Sequence, residues 1–144
     1  MNGLLPRLRT YEECYAQFEW RVPERFNIAV AVCDRHAARM PDMPAVVFED
    51  ADGTTQVMRF GQLLADSNRL ANVLVYHGVR AGDRVAIHLP QSFAAAFAHV
   101  AVYKIGAIAL PLFSLFGPDA LRHRLVDSGA KVLITCADNL AVLD

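Results

Sequence analysis

No stretch of this chain is both long enough and apolar enough to cross a bilayer. A spanning helix needs roughly 20 consecutive apolar residues. The longest candidate, "FAAAFAHVAVYKIGAIALPLFSLFG" over 93–117, is interrupted by His99, Lys104, Gly106 and Pro111. A lysine near mid-bilayer costs about 2.5–3.5 kcal/mol on insertion scales. Phosphate-cradling glycine loops are missing as well: neither GxGxxG nor GxxxxGK[ST] occurs, which removes the two commonest nucleotide signatures. There is no HExxH and no CxxC, and no His/Cys cluster stands at metal-ligand spacing. Cysteine is scarce and odd in number, with three residues at 14, 33 and 136. That argues against a disulfide framework and fits a reducing cytoplasm. Charge of one sign is lacking too. The net charge of −1 gives no global basic field for nucleic acid or anionic lipid. The apolar part of "MNGLLPRLRT" is too short for a signal peptide, and Glu12 and Glu13 follow at once, which is unlike a transit peptide.

What is present is apolar residue in quantity: 54% of 144 residues. That is high for a free-standing domain of this size and suits a buried sheet or a piece of something larger. Thr10 and Glu13 form a capping-box pattern that opens a short helix with Tyr11, Cys14, Tyr15 and Phe18 on one side. Pro23 breaks it. Asn27 is placed to cap a second helix over 28–39, which Met40-Pro41 ends. "PAVVFEDADGTTQVMRF" reads as a β-hairpin with arms at 45–49 and 56–60, turning at Asp52-Gly53.

An α/β alternation follows. Phe60, Leu63, Leu64, Ser67, Leu70, Ala71 and Leu74 make one helical face, closed by Gly78. A strand is expected over 84–89. Ser92 caps the next helix, which stops near Gly106, and a strand follows at 108–112. Gly117-Pro118-Asp119 opens another helix, Ser128-Gly129 ends it, and "KVLITCA" is a further strand. Asp138 is a candidate cap for a final helix. Short connections between strand and helix imply right-handed crossovers and a parallel sheet. The strands at 85–89, 108–112 and 132–136 are apolar enough for burial on both faces, with 108–112 read as a central strand. The expected class is α/β: N-terminal helices and a β-hairpin, then a βαβαβ unit. The expected division is a helical extension over 1–43 and an α/β region over 44–144.

Chemistry is sparse. His36, His77, His88, His99 and His123 lie on different elements, and a catalytic histidine needs convergent partners. Asp34-Arg35-His36 looks like a triad fragment, but neighbours one and two apart on a helix do not face each other. Arg122 and Arg124 suit a phosphate or a solvated helix face. Residue chemistry alone stops at an α/β domain.

The order of segments carries more. GDRVAI, KIGAIALPL, GPDAL and DSGAKVLIT, at these separations, resemble the N-terminal region of AMP-forming acyl-CoA synthetases of the adenylate-forming superfamily. "WRVPERF" and "FNIAVAVCDRHA" are similar to its acetyl- and medium-chain branch. The resemblance runs from about Trp20 to the last residue. It implies a partial large domain of such an enzyme and an ATP-dependent ligation of a short- or medium-chain carboxylic acid to coenzyme A. ATP, Mg²⁺ and coenzyme A are the implied cofactors. Nucleic acid and a membrane span are not implied, the compartment is cytoplasmic, and the oligomeric state is open. The family's phosphate loop, adenine motif, hinge and catalytic lysine have no counterpart in 1–144, so no catalytic or metal-binding residue is expected here. In the acetyl branch the turn after the "GA" strand approaches coenzyme A, and Phe113, Ser114 and Leu115 match it by position. The acetyl enzyme has glycines where this chain has Ser114 and Leu115. Phe113 and Leu115 read equally as packing residues at a strand end. Arg59-Phe60 stands where the family has Thr-Tyr, which removes a hydroxyl helix cap worth roughly 0.5–2 kcal/mol. A stand-alone α/β module that binds a ligand or partner without chemistry remains the alternative.

Overall fold

The structure is a computed structural model and describes residues 10–20 and 22–143. The expected reading of the first nine residues lies outside them. Helix α1 (Tyr11–Gln17) begins as its sequence predicts, with the Thr10 hydroxyl accepting from the Glu13 N–H at 3.2 Å. None of its residues is buried.

Helix α2 spans 28–39 and contains a π-turn, Val30–Asp34, which no sequence signal announces. The Arg35 N–H reaches the Val30 carbonyl across that turn. Asn27 serves two helices. Its side-chain oxygen accepts from Val30 N at 3.2 Å, and its amide donates to the carbonyls of Tyr103 (3.0 Å) and Lys104 (3.2 Å). One side chain thus satisfies orphan groups at the start of α2 and the end of α4 (Phe93–Lys104).

Strands β1 (Pro44–Glu49) and β2 (Thr55–Arg59) pair antiparallel. Gly53 takes φ +83° in their turn, a conformation that glycine adopts without a Cβ penalty. Helix α3 (Phe60–Tyr76) buries Leu63, Ser67, Ala71 and Leu74, the face that periodicity predicts. The hydroxyl cap missing at Arg59 is replaced from elsewhere. The Gln62 side chain accepts from Arg59 N at 2.8 Å, and the carbonyls of Met43 and Pro41 accept from Phe60 N and Gly61 N at 3.1 and 2.8 Å.

Strands β3 (Arg84–His88), β4 (Ile108–Pro111) and β5 (Val132–Thr135) form a parallel sheet in the order β4-β3-β5. Val85 and Ile87 pack with Ala98, Ala101 and Val102 of α4 and with Ala71 and Leu74 of α3. The alternate residue, Ala86, packs with Leu112 and with Leu121 of α5 (Pro118–Ser128) on the opposite face. A further cluster of Ala29, Cys33, Met58, Leu63 and Val100 ties α2 and the hairpin to α3 and α4.

Two expectations need correction. The strand at 108–112 is an edge strand among the described residues; the central one is β3. Val85, Ala86, Ile87 and His88 are all buried, whereas the ends of β4 are exposed. Apolarity alone cannot rank strands, because order depends on which way each crossover turns. Asp138 caps nothing: it lies inside a 3₁₀ turn, Ala137–Val142, that starts after Cys136 with no side-chain cap. The 93–117 run divides into α4 and β4, and α4 at 12 residues is about 18 Å long, short of the ~30 Å hydrocarbon core. No helix among the described residues is long and apolar enough to cross a membrane. Lys104, its side chain nine-tenths buried, pairs with Asp34.

Candidate functional site

The crossovers decide where a ligand fits. From β3 the chain passes over one face through α4 to β4; from β4 it returns over the other face through α5 to β5. Adjacent β3 and β4 therefore send their chains to opposite faces. In open parallel sheets that reversal leaves a crevice outside the carboxyl ends of the two strands, where ligands bind. By that rule the position for a ligand is between the segments 89–92 and 112–117.

The second segment carries Phe113, Ser114 and Leu115. Leu112 N donates to Ile87 O at 2.8 Å, extending the β3–β4 ladder one step, and Phe116 N donates to Phe113 O at 3.0 Å, closing a tight turn. No residue in the turn has positive φ, so Ser114 and Leu115 occupy it without strain. Phe113 is 61% and Leu115 80% exposed. Phe113 meets Phe116 edge-on at 5.8 Å, and the Arg124 guanidinium lies 4.1 Å over the Phe116 ring. Arg124 Nη1 also donates to Ala120 O at 3.0 Å. Arg122 instead lines a shallow groove of about 430 Å³ between α5 and the 3₁₀ turn, with Leu121 and Val142.

On the first segment, the Ser92 hydroxyl accepts from Ala95 N at 3.2 Å and donates to Pro90 O at 3.0 Å, so one side chain both caps α4 and holds the loop. His88 ends β3 with no exposure at all. Neither of its ring nitrogens has a hydrogen-bond partner. Its neighbours spend their donors on its carbonyl instead: Thr135 Oγ1 at 3.1 Å and Asn139 Nδ2 at 3.2 Å. Sequence reasoning left His88 undistinguished from the other histidines; its place at the end of the strand preceding the crevice was the only available hint.

The remaining candidates are apart. Asp34 pairs with Lys104, while His36 stacks on Phe60 at 5.0 Å, so the triad fragment does not converge. His99 Nδ1 lies 2.8 Å from its own helix carbonyl at Ala95. Burial pushes the Cys33 thiol pKa up, which keeps it protonated and unreactive. Among the described residues no group of three or more His, Cys, Asp or Glu is placed to hold a metal ion.

The family model for AMP-binding enzymes matches residues 33–144. The chain is 39% identical over 123 residues to acetyl-coenzyme A synthetase 2 of Kluyveromyces lactis, covering 85% of this chain and 18% of that protein. It is 40% identical over 118 residues to acetyl-coenzyme A synthetase 2 of Saccharomyces cerevisiae, covering 81% and 17%. It is 35% identical over 132 residues to the acetyl-coenzyme A synthetase of Xanthobacter autotrophicus, covering 91% and 20%. Among solved structures, a Brucella canis acyl-CoA synthetase superposes with a TM-score of 0.85 at 31% identity, covering 94% of this chain and 26% of that one. The chain spans about a fifth of the length of the curated relatives it matches.

Proposed function

The chain belongs to the AMP-binding enzyme family, and from that premise we propose that it is the N-terminal part of an AMP-forming acyl-CoA synthetase acting on a short- or medium-chain carboxylic acid. In such a reaction a carboxylate oxygen attacks the α-phosphate of ATP and pyrophosphate leaves. The sulfur of coenzyme A then attacks the acyl carbonyl, and AMP leaves. Developing charge on phosphate and carbonyl oxygens must be met by fixed donors and cations. The family resemblance assigns the groups that carry out both steps to parts of such an enzyme other than this region. Mg²⁺ belongs to the reaction through the resemblance alone, and no step is assigned to it here.

The contribution of this chain is a scaffold and one wall: α3, α4 and the sheet hold the Phe113–Leu115 turn at the crevice, where it contacts coenzyme A. The observation that supports this most strongly is the position of that turn, outside the carboxyl ends of β3 and β4 where the crossovers reverse. The proposed division sets 1–43 apart as an N-terminal extension, with α1 and α2 among its described residues, from 44–144 as the front of the large domain of a cytoplasmic enzyme.

The coding DNA past codon 144 tests this first. The expected result is an open frame with a Ser/Thr/Gly-rich loop, then a Tyr-Gly-x-Thr-Glu stretch. The protein it encodes should exchange pyrophosphate into ATP only when a carboxylic acid is added. A stop directly after Asp144, or exchange by residues 1–144 alone, overturns the assignment.

A further inference from the structure

The C-terminal end of α4 is gripped by two polar side chains from the N-terminal extension. Lys104, the last residue of α4, has its side chain nine-tenths buried and pairs with Asp34, 70 positions earlier. A buried ammonium is tolerated when it is paired, and among the described residues Asp34 is the carboxylate that meets it. Asn27 donates to the carbonyls of Tyr103 and Lys104. Tyr103 O also accepts from Gly106 N at 3.1 Å, so Asn27 shares an acceptor with the turn that leads into β4. Beside these groups Ala29 and Cys33 of α2 are wholly buried, packed with Met58, Leu63 and Val100. The π-turn of α2 ends at Asp34, and single π-turns are frequent at functional positions. Helix α1, by contrast, buries nothing.

We propose that Asn27, Asp34 and Lys104 form a clasp through which α2 acts as a strap on the strand β4. Only residues 105–107 separate Lys104 from Ile108, where β4 begins. Gly106 turns there at φ +71°, and Ala107 N returns to Val102 O at 3.1 Å. The link is short and bonded back to α4, so a displacement of Lys104 passes to the start of β4. Among the described residues β4 pairs with β3 alone, whereas β3 is held on both sides. A strand with one ladder has fewer bonds to resist local opening. Opening the clasp therefore releases α2 and β4 in one step. Strand β5 is also paired on one side only, but among the described residues no hydrogen bond or ion pair from α2 reaches it, so it stays in place. By sequence α2 belongs to the extension; by stability it belongs to the sheet. No ligand is needed for this coupling.

Amide hydrogen exchange, read by mass spectrometry on the protein as its gene encodes it, tests the clasp. Lys104→Met and Asp34→Asn should each speed exchange roughly tenfold in both 28–39 and 106–110 and leave 132–135 unchanged. The double variant should exchange no faster than the faster single variant, because the two residues share one interaction. Lys104→Arg keeps the charge and should restore most of the protection. The wild type gives a second test if Lys104→Met fails to fold. With rising denaturant, amides of 28–39 and 106–110 should converge on one opening free energy, below that of 85–88; separate opening free energies for the two segments would sever the strap from the strand. Faster exchange confined to 28–39 in the variants would mean that the clasp holds α2 alone. Faster exchange everywhere, 132–135 included, would mean that the pair supports the whole fold. Additive effects in the double variant would mean that Asp34 and Lys104 act separately. Each of these last four results overturns the proposal.

Discussion

The two ends of the parallel sheet are built on opposite plans. At the amino end Arg80, Asp83, Arg84 and Lys131 are all engaged. Lys131 Nζ donates to Asp83 Oδ2 at 2.9 Å and to Gly78 O at 2.7 Å, and the same Asp83 Oδ2 accepts from Arg80 N at 2.7 Å. Arg84 donates to the carbonyls of Ser128 (2.8 Å) and Gly129 (3.0 Å), closing the C-terminus of α5 from a strand 45 residues away. Gly78, Gly82, Gly106 and Gly129 turn there with positive φ. At the carboxyl end the reverse holds: Phe113 and Leu115 face outward, Arg124 has donors to spare, and the His88 imidazole is buried without partners. One end ties the crossovers shut; the other forgoes stabilising contacts that residues of the same size could make. The proposed ligand site lies at the end where the described residues leave more side chains unengaged.

The contrast can be broken, and the largest effect should come from Arg84. Arg84→Ala removes two charge-assisted bonds to helix-end carbonyls and should cost about 2–3 kcal/mol, read as a lower denaturation midpoint at unchanged m-value. A loss under about 0.5 kcal/mol would mean that α5 is not held from β3. Gly129→Ala comes next. The residue sits at φ +59°, and an added Cβ would meet Arg84 Nη2 at 2.9 Å; the expected cost is about 1–2 kcal/mol for the left-handed backbone, with Arg84 displaced as well. At the other end the sign should invert. His88→Leu replaces a buried imidazole without partners by an apolar side chain of similar size and should stabilise by about 1 kcal/mol; destabilisation instead would show that His88 is satisfied and that the ends are alike.

The smallest expected effect is a pH dependence at the amino end. The Lys131 side chain, then the Arg80 N–H, hold the Asp83 carboxyl below its ordinary value of 3.8. A depressed folded-state pKa means that Asp83 stabilises the fold above the unfolded value and that this contribution is lost as pH falls through the folded value. The difference in melting temperature between wild type and Lys131→Met should therefore be steady from pH 5 to 7 and shrink below about pH 4. A difference that persists unchanged at pH 2 would show that Lys131 acts through Gly78 alone.

Much of the fold was legible because its signals are local. Thr10, Asn27 and Ser92 cap the helices that they were expected to cap, and Gly53, Gly78, Gly106 and Gly129 turn where a left-handed residue was needed. Each of these depends on residues within four or five positions. The assignment of a ligand to the Phe113–Leu115 turn rests on family resemblance, since nothing in its own three residues announces one. The π-turn in α2 escaped notice; it ends at Asp34, which pairs with Lys104, 70 residues away.

The sequence by itself determined most helices and strands to within a residue or two, and which face of α3 goes inward. These follow from periodicity and capping over a few residues. Tertiary structure alone decided that β3 is central and β4 at the edge, that His88 is buried and Phe113 exposed, and that Arg84 closes α5. Strand order follows from the direction of two crossovers, and burial follows from strand order. Neither is encoded at any one position, because the contacts that settle them join residues 20 to 50 apart and form only when the whole sheet assembles.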